Sequence, residues 1–285
     1  MTSDVSHLTS PLHIPPSFFL IGERKCGTSS LYRYLVAHPQ VLPCRLKEPQ
    51  FFSRGPAYVD AHIAEYWALF PERDGQEDVR FVWPELNAEG ILYHEEVVTP
   101  RQPGLPYFTG EASANTFHEV APDLVHRHLP DMKLIVLLRE PVARVFSHHR
   151  MYVRFRDEGR ELGLEITDFA TDMARELARV RAGAESELIS PGCYVENLRR
   201  WRACYPPEQL LVLFAEDLEA RPQAVMDQVL AYLGYPPHDY GDYLQKRFNQ
   251  APPARPDAAT AAALQAFYAP HNAALAHYLG RKLPW

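Results

Sequence analysis

Continuous apolar runs along this chain alternate with stretches whose apolar positions recur every three or four residues. That is the pattern of buried strands followed by amphipathic helices. Phe18-Phe19-Leu20-Ile21 is the first run; a turn bearing Gly22 and Gly27 follows, and Thr28-Ser29-Ser30 opens a helix with Leu31, Tyr34 and Leu35 on one face. Lys133 to Leu138 predicts a central parallel strand, with a helix from Val142 to about Phe155. Leu210 to Phe214 predicts another buried strand, and 222–233 a helix with Val225, Val229 and Leu233 in step. Val41-Leu42 and Tyr107 to Gly110 are shorter strand candidates, and 56–70 and Phe117–Leu129 are helix candidates.

Other stretches predict more peripheral structure. Residues 160–187 predict charged helices outside the sheet. Ser190 to Tyr194 predicts a turn leading into a helix that ends near Ala203. Residues 249–256 form a proline-rich loop, and 258–280 a helix pair broken near Pro270. Between Pro71 and Pro106 prolines, charges and isolated aromatics predict a long loop or small subdomain that caps a cleft. The expected fold class is therefore α/β. A single P-loop-like domain over 17–285 holds a central, mainly parallel sheet flanked by helices, with insertions at about 71–106 and 156–188. A disordered or extended segment, 1–16, precedes it.

Composition narrows the partners. A net charge of −7 over 285 residues excludes a nucleic-acid surface as the main business, so any basic site must be local. No apolar run approaches the roughly 20 residues that cross a bilayer, and the polar N-terminus has no signal-peptide pattern. The four cysteines form no C-x-x-C pair, so neither a metal site nor a disulfide framework is expected, and the expected compartment is the cytoplasm. Only five of the 29 basic residues are lysines, which makes Lys25 and Lys47 more informative than usual.

The strand, glycine turn and helix N-terminus at 18–32 make an anion site, with Lys25 as a full charge beside it. A Walker A loop would place lysine after the second glycine; here Lys25 precedes Gly27 and Thr28 takes that position. An ordinary βα turn with an exposed lysine fits the same pattern. Lys47-Glu48 lies directly before Pro49 and the Phe51-Phe52 anchor, which predicts extended backbone and a carboxylate held at a cavity edge. A solvated loop carboxylate is the alternative. Arg139 ends the most apolar strand where an ATPase would carry Asp, and a forked cation there suits a second phosphate; Ser147 lies eight residues on. A salt bridge for Arg139 and a packing role for Ser147 remain the alternatives. His148 and His149 are adjacent, face different directions, and are expected at the surface or cleft edge.

Taken together these motifs resemble the sulfotransferases that use 3′-phosphoadenosine 5′-phosphosulfate (PAPS), above all the branch containing the heparan sulfate and other carbohydrate enzymes. Glu23 to Tyr32 is similar to that branch's 5′-phosphosulfate loop, and Arg139 to Ser147 to its 3′-phosphate element. Glu48 to Phe52 resembles its catalytic-glutamate segment, and Glu111 to Asn115 its cleft strand end. Ser190 to Trp201 also follows the family pattern, as does the C-terminal stretch from His271 less specifically.

The resemblance implies an enzyme with Glu48 and Lys25 as catalytic groups. It implies nucleotide contacts from Arg24, Lys25, Cys26, Gly27, Thr28, Ser29, Ser30, Arg139, Ser147 and Tyr194, with Asn249 and Arg255 as stand-ins in the C-terminal loop. Lys47, Glu111, Ser113 and His148 would meet the acceptor, a sugar-like or small hydroxylated molecule. PAPS would be the donor and 3′-phosphoadenosine 5′-phosphate (PAP) the product, with no metal required. Neither nucleic acid nor membrane is an expected partner. Two positions depart from the family pattern: Ala112 stands where heparan-type enzymes carry lysine, and the C-terminal loop lacks a Lys-Gly-Arg clamp. A P-loop nucleotide kinase and a non-catalytic nucleotide-binding module are the competing readings.

Overall fold

The computed structural model describes residues 12–75, 79–87, 90–97, 102, 104–161, 163, 165–246, 248 and 253–285. Five parallel strands form the central sheet in the order β2-β5-β1-β6-β7: β1 is Phe18–Gly22, β2 Val41–Pro43, β5 Phe108–Ala112, β6 Lys133–Leu138 and β7 Leu210–Phe214. β3 (Arg80–Asn87) and β4 (Gly90–Val97) form a separate antiparallel hairpin. The helices are α1 (Thr28–Val36), α2 (Pro56–Trp67), α3 (Thr116–Glu119), α4 (Pro122–His128), α5 (Pro141–Asp157), α6 (Phe169–Arg181), α7 (Tyr194–Cys204), α8 (Ala215–Ala220), α9 (Pro222–Leu233) and α10 (Ala258–Leu279). No helix among the described residues is long and apolar enough to cross a membrane.

The sheet is buried on both faces, which is why its strands are continuous apolar runs. Phe19, Ile21, Leu134, Val136, Leu138, Val212 and Phe214 face a core with Phe51, Phe52, Tyr66, Phe117 and Trp201. The alternate residues Phe18, Leu20, Ile135, Leu137 and Leu213 face α1 and α9. A third cluster joins α5, α6 and α10 through Val145, Tyr152, Met173, Leu177, Leu264 and Tyr268. β1 sits between β5 and β6, so successive connections leave it in opposite directions. The crevice at the carboxyl ends beside such a strand is where open α/β sheets bind ligands. β1 also slips register against β6 between Leu20 and Gly22, re-aiming the chain as it enters the glycine turn.

One expectation is sharpened and three need correction. The stretch 71–106 carries the β3–β4 hairpin, and its first strand is stitched to the main body: Lys47 N–H donates to the Val82 carbonyl and Val82 N–H to that of Arg45, both at 2.9 Å. The helix expected over Phe117–Leu129 is two helices, because Pro122 pushes Ala121 into extended backbone (φ −71°, ψ 122°) and then starts α4 at its first turn. Among the described residues of 160–187 there is a single helix, α6, started by Asp168 accepting the Thr171 N–H; those on either side of it are not helical. The C-terminal pair is one helix through Pro270. Buried Leu264, Tyr268 and Leu275 fix it on both sides of the proline, and Tyr268 donates to the Ile189 carbonyl at 2.8 Å.

Gly22 marks the tightest approach at the end of β1. A Cβ there would lie 2.6 Å from Phe117 Cβ and 3.0 Å from the Ala114 carbonyl. Gly22→Ala is therefore expected to lower stability by about 1–3 kcal/mol in urea titration, an overpacking cost; an unchanged midpoint would mean that α3 yields freely.

Candidate active site

Four loops leave the carboxyl edge of the sheet side by side, after β1, β2, β5 and β6. The β1–α1 turn is built from its own backbone: Glu23 N–H donates to the Leu137 carbonyl at 2.9 Å, and Cys26 N–H to that of Glu23 at 3.1 Å. Lys25 (φ 70°) and Gly27 (φ 95°) both take left-handed conformations, which a side chain at position 27 would resist. Gly27 caps α1 without any side-chain hydrogen bond, and the first turn carries no acidic residue. The positive end of the helix is thus left for an external anion. Cys26 contributes no surface chemistry: it is buried, and that burial pushes its thiol up to about 12. Thr28 is buried, while Ser29 and Ser30 are half-buried. The Ser30 hydroxyl accepts the Phe248 N–H at 3.3 Å, which brings the C-terminal loop onto α1.

Lys25 Nζ lies 3.6 Å from Met151 Sδ on α5. Ser147 is one turn earlier on that helix, so it shares the face that looks at Lys25. Burial, with the charges of Arg154, Arg139 and Arg24 and against the opposing charge of Glu48, lowers the lysine to about 8. Such crowding of cations around a partly desolvated lysine is the electrostatic signature of a site that waits for negative charge. Arg139 Nη1 donates to the Lys25 carbonyl at 3.1 Å, tying the end of β6 to the phosphate-type turn. Tyr194 OH donates to the Arg139 carbonyl at 2.7 Å and lies 3.8 Å from Cys26 Sγ. Tyr194 is itself buried, so it braces both turns from below. Glu140 caps α5 by accepting the Val142 and Ala143 N–H groups, so this helix start is already satisfied and Arg139 and Ser147 must supply any anion contacts there.

The turn after β2 departs from the expected extended backbone: Glu48 has φ 55° and Gln50 φ 48°. Two anchors impose this bend, Lys47 N–H on the Val82 carbonyl and Gln50 N–H on Ser113 Oγ at 3.1 Å. Lys25, Glu48 and Gln50 are the positive-φ residues other than glycine among the described residues, and all three lie here; such conformations cost of order 1–3 kcal/mol each and gather at functional sites. Glu48 is about 30% exposed, and its Oε1 accepts from the buried Lys47 ammonium at 2.5 Å. Lys47 therefore lies behind Glu48 and not out in the cleft. Ser113 Oγ donates in turn to Glu111 Oε2 at 2.7 Å, and both residues are buried. Burial raises Glu111 to about 7, the Ser113 hydrogen bond opposing it. Glu111 and Ser113 thus latch the Glu48 turn from beneath the cleft floor.

Other residues fall elsewhere. His148 and His149, expected at the surface or cleft edge, are both buried because α5 is covered by α6 and by the 185–192 segment. His149 pairs with Asp172 of α6 at 2.8 Å. His148 packs between Arg24 and Arg144, and burial plus those charges hold it well below the usual imidazole range. The Arg24 side chain turns from the phosphate-type loop to Glu119, and the Arg24 backbone N–H donates to Glu23 Oε1 at 2.6 Å. Arg255 is exposed ahead of α10, and Asn249 lies outside the described residues. Sequence reasoning missed Met151 and Glu23. The i, i+4 spacing from Ser147 was available for the first, whereas the burial of Glu23 has no local signal. Among the described residues no three His, Cys, Asp or Glu side chains gather closely enough to hold a metal ion.

Comparison with known proteins gives this arrangement a family. The chain is 28% identical over 301 residues to "Bifunctional heparan sulfate N-deacetylase/N-sulfotransferase 3" of Homo sapiens, covering 94% of this chain and 31% of that protein. It is 25% identical over 308 residues to "Carbohydrate sulfotransferase 15" of Mus musculus, covering 93% of this chain and 53% of that one. The chain therefore spans about a third of the first of these relatives and about half of the second. Among solved structures, a sulfotransferase from Alicyclobacillus acidocaldarius shares the fold with a TM-score of 0.66 at 24% identity, covering 94% of this chain and 97% of the other. The model of the Sulfotransferase family matches residues 16–239, more than half of the sequence, and the chain belongs to that family.

Proposed function

We propose that the chain transfers a sulfuryl group from PAPS to a sugar-like or small natural-product acceptor. The observation that carries this reading is the meeting of Lys25, Arg139 and the Ser147–Met151 face of α5 on one side of the crevice with the Glu48–Lys47 pair on the other. The residues fit a nucleotide with two separate phosphate groups. The α1 N-terminus and Lys25 would hold the 5′-phosphosulfate, and Arg139 with Ser147 the 3′-phosphate.

When bound, PAPS supplies the sulfuryl group at sulfur. Glu48 accepts the proton of the acceptor hydroxyl as that oxygen attacks in line. The bond from sulfur to the bridging phosphate oxygen breaks, its electron pair leaves on that oxygen, and the Lys25 ammonium meets the charge that develops there. Positioning and electrostatics carry most of the rate, as in phosphoryl transfer. Lys47 orients Glu48 from behind. A carbohydrate acceptor is the reading the named relatives favour.

PAP should raise the melting temperature with or without Mg²⁺, whereas ATP should not; stabilisation by Mg·ATP alone would point to a kinase. Glu48→Gln should cut kcat by about 10²–10⁴-fold, the usual worth of a general base, while PAP affinity stays within about twofold. Equal losses of turnover and nucleotide affinity would make Glu48 structural. Because Lys25 titrates near 8, its charge is present at pH 7 and lost as the pH rises through that value. PAP affinity should accordingly fall by up to about tenfold between pH 7 and 9, and Lys25→Met should bind PAP weakly with a flat profile over that window.

A further inference from the structure

A second cavity, of about 300 Å³, opens one residue away from Lys25. Four of its walls are carboxylates: Glu23 from the β1–α1 turn, Glu119 from α3, and Glu185 and Glu187 from the segment before α7. Glu23 is 1% exposed, and its Oε2 has no hydrogen-bond partner, although the other oxygen accepts the Arg24 N–H. Burial raises the Glu23 carboxyl to about 7, so near neutral pH it is partly ionised, and its buried oxygen without a partner calls for a polar group from outside the chain. Among the described residues Arg24 is the one arginine lining the cavity, paired with Glu119 at 2.5 Å and Glu187 at 3.8 Å. His118 and His148 line it as well, and burial lowers both imidazoles below their ordinary value, so they add no charge at pH 7. The cavity is net negative, and Glu119 and Glu187 stand half-exposed at its mouth.

This wall is joined to the reaction site. Asn115 Nδ2 donates both to Glu119 Oε2 at 2.7 Å and to Ser53 Oγ at 3.2 Å, and Ser53 ends the bend that begins at Glu48. A metal ion does not match the arrangement, because no three ligating side chains among the described residues converge closely enough. Carboxylates spread around a cavity at the lower end of ligand-pocket volumes suit an organic cation instead.

We propose that this cavity is an acceptor subsite for a protonated amine, so that the molecule sulfated is an amino-alcohol or amino-sugar and the sulfate goes to its hydroxyl. The proposal rests on the sulfotransferase reading and deepens it. An amine held as ammonium by carboxylates has no lone pair for attack on sulfur, which leaves the hydroxyl as nucleophile and Glu48 as the group that takes its proton. Polyanionic acceptors are disfavoured by the same charges.

The test is calorimetric binding to the PAP-saturated protein at pH 7. The probes are glucosamine and 2-phenylethylamine, each against its N-acetyl counterpart, with glucuronate as the anionic control. Each free amine is expected to bind at least about tenfold more tightly than its neutral counterpart, with the preference shrinking as salt is raised. Glu185→Gln/Glu187→Gln, at the exposed rim and with a glutamine still able to accept from Tyr152 OH, should bring each pair within about twofold. Equal or tighter binding of the N-acetyl compounds or of glucuronate, no measurable binding of either amine, or a preference untouched by the double substitution would each overturn the proposal. PAP-induced stabilisation, measured on the same samples, reports separately on the sulfotransferase reading.

Discussion

The Tyr194 hydroxyl is the contact on which the geometry of the site depends. It donates to the carbonyl of Arg139 and touches the sulfur of Cys26, so one buried side chain from α7 fixes the ends of β1 and β6 relative to each other. Arg139 then closes the arrangement by donating to the Lys25 carbonyl. Both turns leave adjacent parallel strands whose spacing the sheet already sets, and the tyrosine removes the remaining freedom at their tips. A buried hydroxyl must find a partner or pay the desolvation of its own group, so the bond and the burial of Tyr194 enforce each other.

Much of this was legible in the sequence, and what was legible shares a cause. Phe18 to Ile21, Lys133 to Leu138 and Leu210 to Phe214 are buried on both faces, so local composition reports the tertiary environment directly. The glycine turn, Lys25, Arg139 and Ser147 were placed at one sheet edge by topology alone. Failures arose where a distant contact decided the matter. Glu48 bends through positive φ because Val82 and Ser113 hold the chain on either side of it, and neither is near in sequence. His148 and His149 carry no sign of the helix that covers them. Pro270 is a local breaker overruled by packing on both sides. Pro122 is the opposite case: the signal was present and local, and the helix divides where proline dictates.

The site also shows how charge is arranged when the ligand is the missing partner. Lys25 is crowded by Arg154, Arg139 and Arg24, a configuration unfavourable by itself and relieved by an anion. In the neighbouring cavity the signs reverse, with Glu23, Glu119, Glu185 and Glu187 in its walls. The boundary between these two fields runs between consecutive residues, since Arg24 turns to the carboxylates while Lys25 turns to α5. A steep gradient of this kind orients a dipolar reaction complex before any contact is made.

The β3–β4 hairpin gives the Glu48 turn a mechanical property. Its first strand is hydrogen-bonded at Val82 to the two residues that flank Leu46, just ahead of the Lys47–Glu48 pair. A hairpin gripped at its base acts as a lever arm: displacement of the free end is delivered to the gripped segment as rotation. Whatever settles on the hairpin is therefore felt as a change in the aim of one carboxylate, while the β1 and β6 turns, anchored through Tyr194, stay still.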